Sequence, residues 1–139
     1  MSLLENKRIF VVEDNLQNRV IFQILLTGEG VRLDFDRWGR DTVARLQGFA
    51  PVDLIIMDLM LGGGVTGYDI FDQIRTFPAF AQTPIVAVSA ADPAVAIPKV
   101  QEKGFNGFIA KPVDDTLFAQ QLLSIIQGEP VWYAGGSMG

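Results

Sequence analysis

The feature that most constrains this chain is a repeated alternation of short apolar runs with longer amphipathic stretches. Arg8 to Val12, Val31 to Phe35, Leu54 to Leu61, Pro84 to Val88 and Gly107 to Ala110 read as strands. Between them, Leu16 to Leu26, Asp41 to Gln47, Tyr68 to Arg75 and Pro98 to Lys103 carry helical spacing. A last helix is expected from about Asp115 to Gln127, with Asp114 as N-cap and Gly128 as its stop. Phe10-Val11-Val12, Leu54-Ile55-Ile56-Met57 and Ile85-Val86-Ala87-Val88 are apolar on both alternating faces, so these strands are covered on both sides. Strand–helix alternation with right-handed crossovers predicts an α/β fold, a doubly wound five-stranded parallel sheet in three layers. One domain over residues 1–128 is expected, with a Gly-rich tail or linker over 129–139.

The fourth helical stretch contains Pro93 and Pro98. In a helix opened by Pro93, Pro98 would clash with the Ala94 carbonyl and remove a hydrogen bond, at about 3 kcal/mol. The expectation is therefore a short helix from Pro98 to Lys103, stopped by Gly104, with Asp92 to Ile97 as a loop or isolated turn.

The chain has neither cysteine nor histidine, which excludes disulfides, thiolate or imidazole metal sites, and Ser-His or Cys-His nucleophile pairs. Chemistry rests on carboxylates, hydroxyls, lysine and backbone, and any metal is expected to be hard and oxygen-ligated. With 16 acidic and 11 basic residues the net charge is -5, a field that repels phosphate backbones, so no direct nucleic-acid binding is expected. No apolar run approaches a membrane span, and Glu5, Lys7 and Arg8 stand where a secretory signal would have its apolar stretch, so a cytoplasmic location is expected.

Polar residues sit at the ends of the apolar runs. Glu13 and Asp14 follow the first strand and Asp58 lies inside the third run, so carboxylates gather at the C-terminal strand edge, where open α/β sheets bind ligands. Asp14 alone is equally readable as a helix cap. An ionised Asp58 within Leu-Ile-Ile-Met-Asp-Leu-Met, by contrast, costs several kcal/mol unless paired or metal-bound. Ser89 and Lys111 end the later strands; singly they read as a loop starter and a solvated lysine. Jointly these residues describe a site where carboxylates hold a hard cation while a hydroxyl and an ammonium face an anion, an arrangement suited to phosphoryl transfer.

Val11-Val12-Glu13-Asp14-Asn15, Ile56-Met57-Asp58, Val88-Ser89-Ala90 and Lys111-Pro112, in this order and spacing, resemble the receiver domain of two-component response regulators over about Lys7 to Gln127. The resemblance implies the flavodoxin-like strand order 2-1-3-4-5. It also implies that Asp58 is the phosphoacceptor and that Mg2+ is held by Asp14, Asp58 and the Met60 backbone carbonyl, with Glu13 reaching it through water. Ser89 and Lys111 would grip phosphoryl oxygens, Lys111-Pro112 would be a cis peptide, and Phe108 would be the aromatic that reports the switch; without the motif it reads as an ordinary core residue. The implied partners are a histidine kinase or histidine phosphotransfer protein as phosphodonor and a downstream protein or output domain of unknown identity. The implied chemistry is self-catalysed phosphoryl transfer and autodephosphorylation within a signalling domain, not turnover of an external substrate.

The pattern is broken after Asp58. The family has a proline four residues on and a glycine at eight; here those positions are Gly62 and Thr66, and Gly67 comes one residue late, which predicts a longer and more flexible loop. The same loop satisfies G-x-G-x-x-G over Gly62 to Gly67, with Asp92 near the distance of a ribose-binding acid, so an NAD-binding domain is the alternative of a different class. That reading leaves Glu13, Asp14 and Lys111 unexplained. Tyr68 stands where a P-loop needs lysine, and Met60 replaces the second acid of an Asp-x-Asp phosphatase. A receiver-like interaction module that is never phosphorylated is the remaining alternative.

Overall fold

In the computed structural model, which describes residues 2–36 and 41–136, the strands are β1 (Arg8–Val12), β2 (Arg32–Asp36), β3 (Leu54–Met57), β4 (Ile85–Ser89), β5 (Gly107–Ala110) and β6 (Val131–Tyr133). The helices are α1 (Leu16–Thr27), α2 (Thr42–Phe49), α3 (Gly67–Arg75), α4 (Pro93–Lys103) and α5 (Phe118–Ile126). Every strand pair is parallel, in the order β2-β1-β3-β4-β5-β6. The expected order 2-1-3-4-5 is present, extended by one strand.

Strand alternation divides the core in two. Phe10, Val12, Ile55, Met57, Ile85, Ala87 and Phe108 face Leu46 of α2, Ile70, Phe71 and Ile74 of α3, and Ala96 and Val100 of α4. Ile9, Val11, Leu54, Ile56, Val86, Val88 and Ile109 face Phe22 and Leu26 of α1 and Phe118, Leu122 and Ile125 of α5. Three layers result, and all strands point their C-terminal ends to one edge.

Away from the end of β3, three elements differ from expectation by more than two residues. α4 is a single helix from Pro93 to Lys103 with Pro98 inside it, so the shorter helix from Pro98 is corrected. Pro93 stands in the first turn, where no N–H is needed, and the Asp92 side chain accepts the Ala94 N–H. Ala94 and Pro98 are both exposed, so water reaches the carbonyl that Pro98 deprives of a donor. Ala96 and Val100, one turn apart on the inner face, bury fully. Beyond the left-handed Gly104 (φ 100), Phe105 stacks on Phe71 with ring centroids 4.3 Å apart. Packing outweighs the local cost.

α5 begins at Phe118, later than expected, because Asp114 caps a preceding turn: its carboxylate accepts the Thr116 N–H at 2.9 Å and its carbonyl accepts from Leu117 and Phe118. Part of the expected tail is the strand β6, paired with β5 in the register Gly107↔Val131, Phe108↔Trp132 and Ile109↔Tyr133. Gly128 (φ 94) turns the chain off α5, and the Glu129 N–H reaches Ser124 O at 2.9 Å, directing it back to the sheet. Residues 137–139 of the expected tail lie outside the described residues.

Candidate functional site

The C-terminal ends of β1, β3 and β5 place their polar residues in one cleft. β1 runs into Glu13 and Asp14, whose next residue, Asn15, caps α1 by accepting the Asn18 N–H at 3.0 Å. β3 stops at Met57, earlier than the expected Leu61, so Asp58 is the first residue of the loop while its N–H still reaches Val12 O at 3.1 Å. Carboxylate oxygens of Glu13, Asp14 and Asp58 lie within 4.8 Å of one another. Such a set repels itself unless a cation joins it.

One cation is already there. Lys111 Nζ lies 2.6 Å from Glu13 Oε1 and 3.4 Å from Asp58 Oδ2, with Glu13 only 1% exposed. Burial, reinforced by the Asp58 charge, raises the Glu13 carboxyl above its ordinary value, and the Lys111 hydrogen bond pulls against that shift. Backbone donors complete the wiring: Asn15 N to Glu13 Oε2 at 3.2 Å, Met60 N to Asp58 Oδ1 at 3.1 Å and Gly62 N to Asp14 Oδ2 at 2.9 Å. Lys111-Pro112 is cis, and so is Ala50-Pro51.

Sequence reasoning named Glu13, Asp14, Asp58, Met60 and Lys111, and all five line this cleft. Ser89 ends β4 beside them, its carbonyl accepting the Lys111 N–H at 2.9 Å, but it is fully buried and its Oγ accepts the Ala91 N–H at 3.3 Å; Ala90 lines the cleft in its place. Phe108 is fully buried in the core. Asn18, one turn into α1, lines the cleft and was not singled out by chemistry; its i+3 spacing from the Asn15 cap was the available signal.

The glycine-rich loop does not look like a dinucleotide site. The α3 N-terminus, where a pyrophosphate would sit, is filled by a capping box in which Thr66 and Asp69 satisfy each other's backbone N–H groups. At its other end the loop gives its Gly62 N–H to the Asp14 carboxylate, a negative group where a pyrophosphate would need donors. Gly63 and Gly64, within this loop, are both left-handed at φ 73 and 77.

The donors fit a hard divalent cation by their chemistry: anionic oxygens from two strand ends, with no nitrogen or sulfur ligand among them. Comparison with known proteins agrees with the geometry. A two-component response regulator of Arabidopsis thaliana is 30% identical over 115 residues, covering 76% of this chain and 49% of that protein. A sensor histidine kinase of Burkholderia thailandensis is 34% identical over 111 residues, 77% of this chain and 18% of its own length. The chain thus spans about half or less of these relatives. A putative response regulator from Chloroflexus aurantiacus superposes with a TM-score of 0.80 at 21% identity, covering 88% of this chain and 99% of that one. The receiver domain of a Pseudomonas aeruginosa sensor histidine kinase, solved with magnesium coordinated in its active-site cleft, superposes at 0.76 with 26% identity over 88% of this chain and 98% of that one. Residues 9–123 match the family described as the response regulator receiver domain, and with the five-strand order, the acidic triad and Lys111 in place, the chain belongs to that family of two-component signalling modules.

Proposed function

We propose that this receiver domain is a Mg2+-dependent phosphoacceptor in which Asp58 takes a phosphoryl group from the phosphohistidine of a partner. The observation that carries the reading is the meeting of three carboxylates with the Lys111 ammonium in one cleft at the sheet edge. Asp14, Asp58 and the Met60 carbonyl would hold the cation, with Glu13 alongside; the magnesium in the Pseudomonas receiver supports this assignment. When bound, Mg2+ supplies charge neutralisation for the transferring phosphoryl oxygens.

The chain's own groups do the rest. An Asp58 carboxylate oxygen forms a bond to phosphorus as the P–N bond to the donor imidazole breaks. Lys111, now paired with Glu13 and Asp58, turns to the added charge. Ser89 follows if its hydroxyl leaves the Ala91 amide. Both movements lie at the ends of β4 and β5, beside Phe108, and would bias the face used by a downstream partner. Because the chain has no histidine, the donor is another chain or domain, or a small phosphodonor. The sensor histidine kinases among its relatives support a kinase or phosphotransfer protein in that role. Among the described residues no helix is long and apolar enough to cross a membrane, and a cytoplasmic site of action is part of this proposal.

A small phosphodonor with Mg2+ is expected to add one base-labile acyl phosphate, seen by intact-mass spectrometry. Asp58→Asn abolishes it and keeps the fold. Unchanged labelling of that variant would sink the assignment, and a wild type that is never labelled would favour an unphosphorylated interaction module.

A further inference from the structure

The loop after β3 carries glycine at position 62, where the receiver pattern has a proline. A proline has no N–H to give. Gly62 has one, and it is in use: it donates to Asp14 Oδ2 at 2.9 Å, joining residues 48 apart in sequence. Two positions earlier, Met60 N donates to Asp58 Oδ1 at 3.1 Å. Alternate amides of one short segment therefore each hold one oxygen of a carboxylate, and the two carboxylates come from different strands.

The fit at Gly62 is close. A β-carbon there would stand 3.2 Å from Asp14 Oδ2, tighter than most such contacts, so the bare backbone lets the carboxylate come near. The left-handed Gly63 and Gly64 then carry the chain away toward α3. Glu13 and Asp58 meet the Lys111 ammonium; the contact that holds Asp14 is this amide. A hydrogen bond to an ionised carboxylate is stronger than one between neutral groups, and it removes rotational freedom that a ligand would otherwise lose on binding an ion.

We infer that Gly62 is a positioning residue for the cation site, its N–H fixing the Asp14 carboxylate so that one oxygen faces the cleft, and so linking the loop's conformation to divalent-cation binding. This rests on the cation site proposed above.

The test is Mg2+ titration of isotope-labelled protein, followed by calorimetry and by the Gly62 amide resonance. In the wild type that resonance is expected downfield and to move with the same Kd as the heat; Asp14→Ala moves it to the position of a water-bonded amide. Gly62→Pro should weaken Mg2+ binding about tenfold, the effect of losing an outer contact to a metal ligand. Gly62→Ala keeps the N–H but sets a β-carbon 3.2 Å from Asp14 Oδ2, so it should recover only part of that loss. The inference is overturned if Gly62→Pro binds Mg2+ as tightly as the wild type, or if Asp14→Ala leaves the Gly62 amide unmoved. The second comparison decides alone should the proline variant fail to fold. If the wild type binds no Mg2+, the proposed function fails, and this inference with it.

Discussion

Gly67 lies directly against the backbone of Asp58: a β-carbon on it would stand 2.3 Å from the Asp58 carbonyl oxygen. The Gly67 N–H donates to Leu59 O at 3.1 Å, and the Thr66–Asp69 capping box fixes where α3 begins, so neither partner has room to retreat. Gly67→Ala must therefore displace the segment that carries Asp58. It should lower unfolding stability by about 1–3 kcal/mol, the usual cost of overpacking, and slow acyl-phosphate formation. Urea denaturation read beside the labelling rate checks this; a variant matching the wild type in both would refute the packing argument.

Lys111→Ala removes the cation from a nearly buried Glu13. Breaking a buried pair from one side costs about 3–5 kcal/mol, less here because Lys111 keeps 13% of its side chain in solvent. Metal-free Lys111→Ala protein should be clearly less stable than the wild type, and Mg2+ should restore more stability to it than to the wild type. Equal thermal midpoints in the presence of a chelator would count against the pairing.

The raised Glu13 carboxyl has a pH signature. Folded protein keeps a proton there after the unfolded chain, with its ordinary value of 4.5, has released it. In the metal-free state this group's contribution is therefore greatest at low pH and declines as pH rises from about 4.5 through the folded-state value. Asp114, whose hydrogen bonds from Thr116 hold it below 3.8, acts with the opposite sign and in a lower window. Glu13→Gln should flatten the decline above pH 4.5, measured as denaturation free energy against pH with chelator present. An unchanged slope would show that another group governs it.

Pro98 sits within α4 at a local cost that the rest of the helix outweighs. Pro98→Ala supplies the missing N–H to the Ala94 carbonyl and relieves the ring, so stability should rise by about 1–3 kcal/mol. Denaturant unfolding reads this directly, and no gain would mean that the proline is already strain-free in its surroundings.

The strands were legible because apolar runs rich in β-branched residues, such as Ile85-Val86-Ala87-Val88, belong on a doubly covered sheet whatever their neighbours. The site was legible because its residues stand at strand ends, where topology alone brings Glu13, Asp14, Asp58 and Lys111 together. What escaped depends on contacts distant in sequence. α4 was misjudged since a proline rule prices the helix alone, whereas Ala96 and Val100 are held by the sheet. β6 escaped because three residues among Pro130, Gly135 and Gly136 are a weak strand signal until β5 is there to pair with. The late glycine after Asp58 was noticed, but its closeness to the Asp58 carbonyl is a fact of packing.

β6 bears on how the protein behaves in concentrated solution. Gly107, Phe108, Ile109 and Ala110 of β5 are all buried, and without a neighbour this strand would offer a bare apolar margin of backbone N–H and C=O groups, a template on which other molecules add strands. Val131–Tyr133 takes up that margin and leaves in its place an edge of only 3 residues. So short an edge is a poor seed for cross-molecule pairing, and β6 thereby shields this side of the sheet from strand addition.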